Sequence, residues 1–262
     1  MRPGPLHDRE HDRGRTDPDV GRRWLLRAVP AAAMLAVAGR ARAAASVTDL
    51  VLACDITLGP AMRAASTAYA NTAGVRVDVF PTQQYLILPQ LEREVQNDIV
   101  VTRVATLDAA VKAGVVAPDA IRGAWRNRLV VAAKRGATTM SDRPIAFADR
   151  LSASGIDSRT TLAQLQLLDG PVLGVVDTDT VVALVANGTA RAGLLHMTDV
   201  RAHPALEVIR EVPDDIEPPI AYAAAVTKLS SRPDPAGLID FLVSSQGTTL
   251  LATLGLESPT AS

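Results

Sequence analysis

Cysteine is almost missing from this 262-residue chain: Cys54 stands alone, so no disulfide can form within it. Aromatic residues are scarce as well, at 3% of the sequence, which leaves little with which to stack sugars or unpaired bases. The apolar run near the N-terminus, Ala28 to Gly39, holds about a dozen residues, against the roughly 20 that a spanning helix needs. There is no phosphate-binding loop and no G-x-S-x-G elbow. What remains is 48% hydrophobic and 21% charged, the composition of a globular protein with enough chain to bury a core.

The first 45 residues read as an export segment. Gly21 to Arg27, "GRRWLLR", is a twin-arginine pattern ahead of the short apolar run, and Ala41-Arg42-Ala43 offers a small-x-small cleavage site, with Ala43-Ala44-Ala45 as an equal register. The expected location is therefore periplasmic. Without residues 1–45 the chain carries 18 basic and 23 acidic residues, a net charge of −5. That balance, without a basic cluster, excludes nucleic acid and argues against a membrane surface. His7 and His11 have metal-ligand spacing but lie in the export segment, so neither a metal nor a cofactor is expected.

From Asp49 onward, strand-like apolar runs alternate with helical patterns, which argues for α/β layers. "DLVLACD", "VRVDVF", "DIVVT", "RPIAFAD", "PVLGVV" and "AGLLH" read as strands, and "GPAMRAASTAYANTAG" as a helix with Pro60 in its first turn and Gly74 at its close. "LPQLEREVQ" and "LDAAVKAGVV" read as helices, and "RNRLVVAAKRG" as one strand flanked by charges. The order suggests two lobes, 46–128 plus 226–262 and 129–225, whose connections cross twice. The apolar runs around Val130 and Ala223 are the expected crossing strands. Such a chain has a cleft between lobes and a hinge to close it.

In open α/β sheets ligands collect at the carboxyl ends of strands. Those ends here present Thr57, Thr82, Gln83, Ser154, Thr178 and His196. Hydroxyl groups and first-turn amides suit a small anion without any cationic side chain, although Ser, Thr and Asp are also ordinary helix caps. Asp55 would repel a dianion unless its side chain points away.

The stretches "VANGTARAGLLHMTDV", "VPDDIEPPIAYAAAVTK" and "FLVSSQGTTLLATLGL" resemble the C-terminal half of the periplasmic molybdate-binding protein family. "NRLVVAAKRG" and Leu50 to Met62 are similar to its crossing strand and its opening strand and helix. The resemblance implies a two-lobed periplasmic-binding-protein fold of type II, each lobe a mostly parallel sheet flanked by helices, with two crossover strands as hinge. It implies a monomer that captures a small tetrahedral oxyanion, molybdate or tungstate, for the membrane permease of an ABC importer, and that is not an enzyme. It places the family's first serine on Thr57, its second on Thr82 or Gln83, its backbone-amide donors near Ser154 and Thr178, and its tyrosine on His196. A changed anionic ligand or a periplasmic sensor module is the alternative. A thiol enzyme using Cys54 and His196 is a lesser one.

Overall fold

The computed structural model describes residues 49–137, 142–148 and 157–258. These fall within one unit of the chain, 46–262. The export segment read at 1–45 lies outside them.

Apolar residues at alternate positions make the strands, and the helices between them cover the faces those strands bury. In chain order β1 (Leu50–Asp55) leads through a 3-10 turn (Ile56–Leu58) into α1 (Gly59–Ala73). Then come β2 (Val77–Thr82), α2 (Gln84–Glu92), β3 (Ile99–Arg103), α3 (Val104–Lys112) and β4 (Val116–Asn127). The next elements are β5 (Leu129–Lys134), β6 (Ile145–Ala148), α4 (Ser158–Gln164), β7 (Val172–Val175), α5 (Thr178–Ala186), β8 (Ala192–His196) and α6 (Met197–Ala202). The chain continues with β9 (Leu206–Glu211), β10 (Ile220–Thr227), α7 (Ala236–Val243) and α8 (Ser245–Thr253).

Two five-stranded sheets follow one plan, β2-β1-β3-β10-β4 and β7-β6-β8-β5-β9. In each, three strands pair in parallel and one strand inserts antiparallel to both its neighbours. Four strands of each sheet therefore run one way and one is reversed. The reversed strand is the one that has just arrived from the other sheet, β5 in the second and β10 in the first. The first sheet is buried on both faces: Ile99 and Val101 of β3 join the core under Met62 and Trp125, while Val100 joins Leu107, Ala223 and Ala225 on the opposite side.

Three readings of the sequence change here. β10 lies wholly in the first sheet, so residues 220–225, expected with the second lobe, belong to the first. The run "RNRLVVAAKRG" is two strands with a break at Arg128, because the chain leaves one sheet and enters the other at that residue. "VAPDAIRGAWRN" forms β4, which its Pro118 and charged residues concealed. As the edge of its sheet, β4 leaves one side unpaired except at Arg126, which bridges to Glu257, and tolerates them.

The crossings are fastened together. Arg128 donates to both carboxylate oxygens of Glu257, at 2.8 and 3.1 Å, and to Asp214 on the second crossing at 2.9 Å. Asn127 Nδ2 donates to Thr198 Oγ1, whose own proton goes to the Thr57 carbonyl, both at 2.9 Å. The second link ties α6 to the turn after β1, directly beneath the cleft.

Candidate functional site

The carboxyl ends of β1, β3, β6, β7 and β8 converge on a cleft of about 990 Å3 lined from both sheets. Asp55, Thr57, Gln83 and Arg103 face it from the first sheet, and Arg159, Asp177, Thr178 and His196 from the second. Tyr85 and Val176, on opposite walls, are 61% and 94% exposed. Apolar side chains left open at a cleft mouth are what closure of the walls would cover.

Of the residues read from the sequence, Thr57, Gln83, Thr178 and His196 come together here. Thr82 ends β2 and is not among the cleft-lining residues; its hydroxyl turns back to the Phe80 carbonyl at 3.4 Å. Ser154 lies outside the described residues. Asp55 lines the cleft and Cys54 faces the core, which resolves an alternation that period alone leaves open. Burial, and then the Asp55 charge, push the Cys54 thiol far above its ordinary range. A thiolate paired with His196 is therefore not what this strand offers.

The cleft floor is a chain of oriented hydrogen bonds. Asp55, 1% exposed, accepts from the Thr57 amide at 3.1 Å and the Thr57 hydroxyl at 3.0 Å, both on Oδ1. Thr57 Oγ1 lies 3.2 Å from the Tyr222 hydroxyl. With its own proton given to Asp55, Thr57 accepts from Tyr222, so the hydroxyl expected to hold an anion already points at a carboxylate. Tyr222 in turn is hydrogen-bonded to Arg103, and burial followed by the Asp55 charge holds its phenol protonated well above the ordinary range. Arg103 Nε sits 3.7 Å from Asp55 Oδ2.

On the other wall, His196 is fully buried at the start of α6, its Nδ1 3.4 Å from Asp199 Oδ2 and its amide donating to that oxygen at 3.0 Å. Thr178 opens α5, whose N-terminus already carries Asp177 as cap, accepting from the Thr180 amide at 2.7 Å, and Asp179 in the first turn. That backbone hydrogen bond and the Thr180 hydroxyl hold Asp177 below its usual carboxylate range. Asp177→Ala should cost about 1 kcal/mol. Because the folded-state value is depressed, the difference in Tm from wild type should be constant above about pH 4 and fade as pH falls below it. Thermal melts of both proteins between pH 2.5 and 7 measure this.

The whole arrangement is a paired-crossover fold with polar groups from two walls around one cleft. The family of bacterial extracellular solute-binding proteins matches residues 50–257. The chain belongs to this family.

As a solute-binding protein it shares its fold with the substrate-binding domain assigned to a molybdenum ABC transporter of Clostridium difficile. That structure has a TM-score of 0.64 at 20% identity, covering 81% of this chain and 99% of that one. The periplasmic molybdate-binding protein of Azotobacter vinelandii matches with the same TM-score, 0.64, at 15% identity, over 80% of this chain and 100% of its own. In sequence, an aconitate isomerase of Pseudomonas sp is 24% identical over 237 residues, 82% of this chain and 90% of the relative.

The sequence reading missed Arg103, Arg159 and Tyr222. Arg103 was findable, since it directly follows "DIVVT", at the kind of strand end where ligand-facing residues were sought. Tyr222 sits in mid-run among alanines, and nothing in that run marks it as facing Asp55 and Thr57. Among the described residues no group of three His, Cys, Asp or Glu side chains is placed to hold a metal ion, and no helix is long and apolar enough to cross a membrane.

Proposed function

We propose that this solute-binding protein, exported through residues 1–45 by the twin-arginine route, captures a small oxyanion in the cleft and presents it to the permease of an ABC importer. One observation carries the reading: Arg103, 20% exposed in its side chain, is held at the cleft floor, with Arg159 on the facing wall of the same cleft. A guanidinium donates in a planar fork that matches carboxylate and oxyanion geometry. Bound between two walls, the ligand stabilises the closed form, and the crossings at Arg128 and 212–219 act as the hinge. Molybdate and tungstate are the inorganic candidates, on the strength of the sequence resemblance. Small carboxylates are the organic ones, suited to a cleft with two guanidinium groups.

The test is a thermal-shift screen of residues 46–262 against molybdate, tungstate, sulfate, phosphate and a set of di- and tricarboxylates. Ligand at a hundred times its Kd adds about 2.7 kcal/mol, a rise of about 5–10 °C for a domain of this size. No rise with any of these anions would sink the proposal.

A second reading, catalysis on a carboxylic acid, has the isomerase relative in its favour together with a buried carboxylate, Asp55, beside Arg103 in the cleft. Incubation with aconitate followed by proton NMR decides it: any enzyme-dependent conversion would put catalysis first.

A further inference from the structure

The proton directions on the cleft floor constrain the ligand more tightly than its charge does. Arg103 can only donate and the Asp55 carboxylate can only accept. The two hydroxyls between them must then both point the same way, Tyr222 toward Thr57 and Thr57 toward Asp55 Oδ1. Neither hydroxyl has a proton left for a ligand. Asp55 Oδ1 is used up by Thr57, but Oδ2 is buried without a hydrogen bond, and the charge facing it is Arg103 Nε at 3.7 Å, beyond hydrogen-bond length. A buried carboxylate oxygen left in that state is costly, and a donor that reaches it recovers the cost. The floor thus presents a cationic fork beside one unsatisfied acceptor.

We infer that the cleft is built for an anion that carries its own O–H next to the charged group, a 2-hydroxycarboxylate or a hydrogen phosphate, with Asp55 as the specificity-determining acceptor. This rests on the oxyanion reading proposed above and narrows it. The anionic group takes Arg103, drawing the guanidinium from Asp55, and the ligand hydroxyl donates to the Oδ2 so uncovered. A fully deprotonated dianion such as molybdate or sulfate would meet Oδ2 with no proton to give it, and the two negative charges would repel. The other acids of the cleft do not substitute for Asp55: Asp157 and Asp177 are committed to the Thr160 and Thr180 amides at 2.8 and 2.7 Å, and Asp179 is exposed, so water already satisfies its carboxylate.

Matched pairs test this by calorimetry at pH 7.5 on residues 46–262: malate against succinate, and hydrogen phosphate against sulfate, with molybdate alongside. The wild-type protein should bind the hydroxyl-bearing member of each pair about tenfold or more tightly. Asp55→Asn retains an acceptor for the Thr57 amide but can turn its own N–H to the ligand, so the preference should fall to within about threefold. Equal affinity within both pairs, or a preference that survives in Asp55→Asn, overturns the inference and leaves oxyanion capture standing. Binding of molybdate alone does the same. Binding of none of the compounds overturns both.

Discussion

Arg103→Met should weaken capture of any anion by about a hundredfold or more, the loss that follows when one member of a desolvated charge pair is truncated. Arg103→Lys keeps the charge and loses the fork, and should lie between, at about tenfold. The substitution also acts on the empty protein. Asp55 is 1% exposed, and the guanidinium at 3.7 Å is the charge that faces its Oδ2. Without it the carboxylate stays buried against Thr57 alone, which should lower stability by about 3 kcal/mol. The double variant Arg103→Met with Asp55→Asn removes both charges and should regain most of that stability, but not the binding. Calorimetric titration and denaturant melts of the four proteins separate the two effects. Full affinity in Arg103→Met would mean that the anion sits elsewhere.

Gly247→Ala should destabilise the fold by about 3 kcal/mol, lowering Tm by about 6–12 °C. Helix propensity predicts the opposite, since alanine is the better helix former. Gly247 lies in the first turn of α8, where its amide donates to the Ser244 cap at 3.1 Å. A Cβ there would overlap the Phe241 carbonyl oxygen and lie 2.9 Å from both Cα and O of Leu242, so α7 and α8 would have to separate. Those contacts are backbone, which cannot rotate aside as a side chain can. A melt at or above the wild-type temperature would show that the two helices have room to spare.

The two glycine-bearing ends of the C-terminal helix illustrate what a sequence can and cannot display. "QGTTLLATLG" reads as a helix, and α8 runs from Ser245 to Thr253. The closing glycine is legible as a stop, and Gly255 does adopt φ +91°. That a Cβ there would come within 2.9 Å of the backbone carbonyl carbon of Met197, the residue after β8 in the other sheet, is legible nowhere in the string. The candidate site divides in the same way. The carboxyl ends of strands could be located from hydrophobic period and caps, and four of the six residues found there line the cleft.

The sequence by itself determined the α/β class, most of the order of elements and the strand ends that line the cleft. These follow from local periodicity, helix caps and the chirality of parallel connections, all written within short windows of the chain. The tertiary structure alone decided which sheet owns β10, which of Cys54 and Asp55 faces the cleft, and that Tyr222, 165 residues from Thr57, donates to it while Thr57 donates to Asp55. A period of two says that neighbours face opposite ways without saying which face is the core. Whether a hydroxyl is free to hold a ligand depends on partners brought in by sheet pairing, which no short window contains.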